Sequence, residues 1–134
     1  MKSLLIHKRI ARRESQKRKP FTNAQLSLIL QHPEFVAQRD GQHPERYWLI
    51  LALLLSGARR EEIAQLRTED IREEEGCLFF NIIPEEPDQS TKTPGGRRRV
   101  PIHKDLERLG FRHYVKRMRR AKEKRLFPKA EKGE

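Results

Sequence analysis

Arg59 sits where an apolar run gives way to a polar one: Tyr47-Trp48-Leu49-Ile50-Leu51-Ala52-Leu53-Leu54-Leu55 is followed by Ser56-Gly57-Ala58-Arg59-Arg60-Glu61-Glu62-Ile63-Ala64-Gln65-Leu66. A helix that stops at Gly57 and restarts at once holds the Arg59 guanidinium at a corner between two rigid elements. There its planar fork of donors can meet a phosphate. A second cationic segment, Lys92-Thr93-Pro94-Gly95-Gly96-Arg97-Arg98-Arg99-Val100-Pro101-Ile102, offers an amine and three more guanidiniums. Such groups suit phosphoryl chemistry, in which fixed positive charge stabilises the transition state and a donated proton releases an alkoxide. Each residue also has a plainer reading. Arg59 and Lys92 are then solvated cations, and Glu62 is an acid in a first helical turn, favoured by the helix dipole.

Elements to position these groups are legible. Thr22 with Gln25 is a capping-box pattern, with Phe21 placed to staple onto the first turn of an apolar helix that ends near His32-Pro33. A loop containing Gly41 follows. The next helix runs from Pro44, tolerated in a first turn, to Ser56, with Gly57 as its carboxyl-terminal cap. It is apolar nearly all round, so it is expected to be covered on several sides. A short helix spans Arg60 to Leu66, and Asp70 with Glu73-Glu74-Glu75 reads as a solvated acidic turn. Cys77 to Ile83 is a strand, with Cys77 a small buried residue in it. Gly95-Gly96 offers a tight hairpin turn into a strand through Arg98, Val100 and Ile102. A closing helix, Asp105 to Lys124, is interruptible at Gly110. Phe111, Tyr114, Val115 and Met118 line its inner face. The fold class is α+β: a helical cluster around Trp48 to Leu55 packed beside a small antiparallel sheet.

Composition narrows the partners. The chain of 134 residues is 35% hydrophobic and 37% charged, which allows one modest core. Its net charge of +11 points to a polyanion, most simply nucleic acid. The charge is blocked: residues 1–20 carry +7, residues 21–91 carry −7, and residues 92–134 carry +11. Two cationic flanks around an acidic centre suggest a DNA track built from the ends of the chain. No apolar run approaches the roughly 20 residues needed to span a bilayer, and no secretory signal opens the chain. The single Cys77 excludes an internal disulfide framework and suits a reducing cytoplasm. Its five His and one Cys show no zinc spacing. Residues 1–20 read as a basic tail or linker, 21–128 as the ordered domain, and 129–134 as a polar tail.

From Phe21 to Pro128 the order of these pieces resembles the first half of the catalytic domain of tyrosine recombinases, the phage integrase family. Ser56-Gly57-Ala58-Arg59 with Glu62 and Ile63, then Leu66 and Asp70, follows that family's first motif. The strand from Leu78 to Ile83, Lys92-Thr93, the basic strand Arg98-Arg99-Val100-Pro101-Ile102 and the late Leu126-Phe127-Pro128 follow in order. The resemblance implies that Arg59 holds a non-bridging oxygen of the scissile phosphate, that Lys92 is the general acid for the departing 5′-oxygen, and that Glu62 orients the arginine. Arg97, Arg98, Arg99, Lys116, Arg119 and Arg120 would contact DNA. The family also uses a His-x-x-Arg motif and then a nucleophilic tyrosine. Neither follows Arg59 here, because His113 has Lys116 at the third place, and Tyr47 and Tyr114 fall on apolar faces. The expectation is a fragment of a site-specific recombinase that binds double-stranded DNA and self-associates in a recombination complex. It would not cut alone, would need no cofactor, metal or membrane, and would come from the cytoplasm of a bacterial or phage system. The alternative is a helix-turn-helix regulator starting at Arg59 to Leu66, disfavoured because residues 60–76 carry seven acids against three bases. A basic RNA- or ribosome-associated protein is a third possibility.

Overall fold

The computed structural model describes residues 18–84, 87, 89–91 and 94–130. Most of the basic tail, the acids at 85, 86 and 88, Lys92 and residues 131–134 lie outside them. The chain divides after His32. Ahead of that point lies helix α1 (Asn23–Leu30). Its capping box is complete: Thr22 Oγ1 accepts from the Gln25 N–H at 3.2 Å, and Gln25 Oε1 accepts from the Thr22 N–H at 2.9 Å. Phe21, expected as a staple, is exposed, and α1 itself buries no residue.

The second unit begins with α2 (Pro33–Gln38), where the sequence suggests a loop. Pro33 ends one helix and also opens the next, since a proline at the first helical position gives up only an N–H that has no partner anyway. Phe35 buries its ring 5.0 Å from Tyr47. Helix α3 (Pro44–Ser56) has the boundaries its Pro and Gly specify, and Gly57 closes it in the left-handed region at φ 66°, its N–H donating to Leu53 O. Tyr47, Trp48, Leu51 and Ala52 are buried, but Ile50 and Leu54, one turn apart, are 44% and 43% exposed. Leu49, Leu53 and Leu55 are half-buried, so α3 is covered on several sides and open along Ile50 and Leu54.

Helix α4 (Arg60–Ala64) and a 3-10 turn (Thr68–Asp70) lead into a three-stranded antiparallel sheet, β1 (Ile71–Glu74), β2 (Cys77–Ile82) and β3 (Arg98–Pro101), in the order β1-β2-β3. Phe80 pairs with Ile71 on one side and with Val100 on the other. The acidic stretch is thus a strand, and only Glu75 belongs to the turn. Glu75 and Gly76, at φ 50° and 76°, make the two-residue connection whose twist matches a hairpin. Cys77 starts β2 beside this turn and is exposed, contrary to its expected burial. The glycine hairpin is replaced by a long connection, residues 83–97, that ends in a 3-10 turn (Pro94–Gly96). The closing helix is two, α5 (Lys104–Arg108) and α6 (Phe111–Arg120), parted by Gly110 at φ 103°. With six α-helices among the described residues and this sheet, the architecture is α+β.

Aromatic rings hold these layers together. Trp48 of α3 lies 5.6 Å from Phe111 and 5.7 Å from Tyr114 on α6, Phe80 of β2 lies 5.9 Å from Phe111, and Tyr114 lies 6.1 Å from Phe127. After α6 the chain runs back as a strap. The Thr68 N–H donates to Lys124 O, the Leu126 N–H donates to Leu66 O, and Tyr114 Oη donates to Leu126 O at 2.6 Å. Burial pushes the Tyr114 hydroxyl well above its ordinary pKa, so it stays a donor. No helix among the described residues is long and apolar enough to cross a membrane.

Phe127 is fully buried, so Phe127→Ala should cost about 3–5 kcal/mol in chemical denaturation. Leu54→Ala, on the open face of α3, should stay within about 0.5 kcal/mol. Equal losses would show that the strap is not part of the core.

Candidate nucleic-acid interface

The corner after α3 is fixed by its backbone. The Ala58 N–H donates to Ser56 Oγ at 3.2 Å, and the extended Arg59 donates its N–H to Glu62 Oε2 at 3.0 Å. Glu62 has only 4% of its side chain exposed, and a carboxylate so placed needs donors. Arg98 of β3 supplies two in a fork: Nη1 reaches Oε1 and Nη2 reaches Oε2, each at 3.0 Å. Arg98 Nη1 also reaches Gly96 O at 2.9 Å. These bonds, that from Arg98 foremost and then the Arg59 N–H, outweigh burial and hold the Glu62 pKa below its ordinary 4.5.

Glu62 therefore touches Arg59 through the backbone and Arg98 through the side chain. The Arg59 guanidinium is exposed and has no hydrogen bond or ion pair among the described residues. Arg97 is likewise exposed and unpaired there. The other cations singled out in the sequence divide. Arg99 binds both oxygens of Glu74 and lies 5.1 Å over the Phe79 ring. Arg119 donates to Thr68 O and Ile71 O, at 2.8 and 2.7 Å, and so closes the entry to β1. Lys116 and Arg120 are exposed on α6 without hydrogen bonds or close ion pairs among the described residues, and Lys116 attracts Glu73 through space. They share a ridge with His113 and Arg117, by helical spacing. Lys92 lies outside the described residues.

Sequence reasoning missed the groups that hold the β2–β3 connection to this corner. The Gln65 side-chain amide donates to Ser90 O and accepts from the Ser90 N–H at 3.0 Å. Gln89 Nε2 reaches the Asp70 carboxylate at 2.7 Å, and Asp70 also accepts the Arg67 N–H at 2.8 Å. Asp70 is 3% exposed, which corrects its reading as part of a solvated turn. Nothing in the spacing of two glutamines in polar stretches could have revealed this pairing. Among the described residues no group of His, Cys, Asp or Glu could hold a metal ion. The helix-turn-helix alternative lacks its second helix, because a 3-10 turn and β1 follow α4. No protein-family model, curated protein or solved structure matches this chain.

Removing Arg98 strands a buried carboxylate. Arg98→Ala should cost about 2–3 kcal/mol at pH 7, under the ~3–5 of a fully buried pair because the guanidinium is 38% exposed. Arg99→Ala, from a pair 51% and 61% exposed, should cost about 0–1 kcal/mol. A carboxylate with a depressed pKa contributes stability that is complete above its unfolded value and is lost as pH falls through its folded value. Below pH 4.5 the wild type should therefore lose a contribution that Glu62→Gln lacks throughout. Urea melts at pH 7 and pH 3 measure both effects; parallel acid losses in wild type and Glu62→Gln would refute the assignment.

Proposed function

We propose that this chain is the DNA-gripping first half of a tyrosine-recombinase-like catalytic domain, binding duplex phosphates through Arg59 and neighbouring cations. The observation that carries the reading is the saturation of Glu62 by Arg98. The Arg59 guanidinium, fixed at its backbone, adds only a through-space attraction to that carboxylate and faces solvent with no hydrogen-bonded acid among the described residues. An arginine so held supplies a planar fork for a phosphate oxygen, the part the resemblance gives to Arg59. Arg97, Lys116 and Arg120 add contacts to the phosphate backbone, and Lys92 serves as the proton donor the resemblance implies. In cleavage by this family the tyrosine oxygen bonds to the phosphorus and the 5′-oxygen leaves with a proton. Neither tyrosine of this chain fits that role. Tyr47 and Tyr114 are 6% and 2% exposed, and the Tyr114 hydroxyl is engaged by Leu126 O. These residues therefore bind DNA without cutting it. Self-association belongs to the same reading, with the apolar ridge of Ile50 and Leu54 on α3 open to it.

Fluorescence anisotropy with duplexes of unrelated sequence should show binding that weakens steeply from about 50 to 200 mM salt, without base preference. Arg59→Ala should lower the slope of log K against log salt by about 1, as loss of one phosphate contact does. Arg60→Ala should leave the slope alone, because the Arg60 guanidinium is turned to Ala130 O. Denaturing gels should show no covalent DNA adduct. Salt-independent affinity, or an adduct, would overturn the reading.

A further inference from the structure

The connection from β2 to β3, residues 83–97, is long for an antiparallel pair, and connections beyond about 12–15 residues are uncommon unless they carry function or lack order. This one is tied at a defined point. Gln65, just past α4, offers Ser90 both halves of an amide: its Nε2 donates to Ser90 O and its Oε1 accepts the Ser90 N–H. The result is a closed two-bond ring like one pair of an antiparallel ladder, formed by a side chain in place of a strand. The Gln65 backbone carbonyl in turn accepts from Gln89 and from Arg125. Gln89 is buried and reaches Asp70. On the far side, Gly96 packs against the same helix: a Cβ there would lie 3.3 Å from Glu62 Oε1 and 3.2 Å from Thr91 Cβ. The loop is thus gripped at Gln89-Ser90 by the end of α4 and at Gly96 by its start.

We propose that Gln65 is a positioning residue for DNA binding, holding the β2–β3 connection along α4 so that the Arg97 guanidinium stands on the same phosphate track as Arg59. This rests on the DNA-binding reading above. Only an uncharged amide fits the role, because Ser90 presents a donor and an acceptor together. A carboxylate would keep the acceptor but set negative charge against Ser90 O, and an aliphatic side chain would supply neither group. Loss of the ring frees the loop at Ser90 and loosens Thr91, which packs on Gly96 next to Arg97, and this shifts the Arg97 guanidinium and weakens its phosphate contact without removing its charge.

The test uses the whole chain with Gln65→Leu and Gln65→Glu. Hydrogen exchange across residues 89–97 should quicken about tenfold in both. Affinity for a duplex of arbitrary sequence should fall about three- to tenfold, the worth of about one hydrogen-bonded contact. A merely structural residue would weaken binding additively with every cation. Here Gln65→Leu should add little to Arg97→Ala and should add in full to Lys116→Ala. Unchanged exchange, or full additivity with Arg97→Ala, overturns the role of Gln65 while wild-type binding and its dependence on Arg59 stand. Absence of salt-dependent binding by the wild type overturns the DNA-binding reading and this role with it.

Discussion

One buried carboxylate organises the corner after α3. Taking Glu62 out of water costs several kcal/mol unless donors replace the lost hydration. Three do so: the Arg59 N–H from its own helix start, and two from Arg98 across the molecule on β3. The geometry leaves no slack. Arg98 must stand at a strand position that aims at α4, and a Cβ at residue 96 would lie 3.2 Å from Thr91 Cβ and 3.3 Å from Oε1, so that both neighbours would have to give. Helix start, strand and loop turn are therefore joined at one point. A change at any of Glu62, Gly96 or Arg98 unsettles the other two.

The same satisfaction explains why Arg59 is available. Arg98 fills both oxygens of Glu62, and Arg59 attracts the same carboxylate only through space. Because the carboxylate is already filled, the fork of Arg59 stays in water on a backbone that the core fixes from behind. Ile63 and Leu66 are buried directly under α4, and the strap binds the carbonyl of Leu66 through the Leu126 N–H. A rigid backbone beneath a solvated guanidinium reduces the ordering a phosphate has to impose on binding.

What the sequence shows depends on whether local chemistry or distant pairing decides. Helix α3 is readable to the residue because Pro44 and Gly57 act within one turn of themselves, and the Thr22 box is equally local. The pairing of Phe80 with Val100 follows from apolar runs whose only shared buried face is the core. Strand β1 escapes, because Glu73 and Glu74 are poor strand formers, and the arginines that pair with them, Arg112 and Arg99, lie far along the chain. Helix α2 escapes because six residues hold too little periodicity to register. At the site, Arg59 and Glu62 are visible as a motif. That Glu62 is answered by Arg98, and that Gln65 grips Ser90, are facts of folding that no spacing encodes.

The blocked charge of the chain takes on a different meaning in this light. An acidic centre between basic flanks looks like a solvated surface beside a DNA track. Instead, acids of the centre are partners for arginines that follow: Glu62 with Arg98, Glu73 with Arg112, Glu74 with Arg99. The exposed pairs among them are screened by water, so their main effect is to place charge rather than to hold the fold. They withdraw Arg99 and Arg112 from solvent phosphates and tie each to a defined spot on the sheet, while the buried pair does the same for Arg98. Among the cations singled out in the sequence, Arg59, Arg97 and Arg120 have no hydrogen-bonded acid among the described residues. Net charge along a stretch therefore overstates the cations that its surface offers, because an arginine bound to an acid is already answered within the fold.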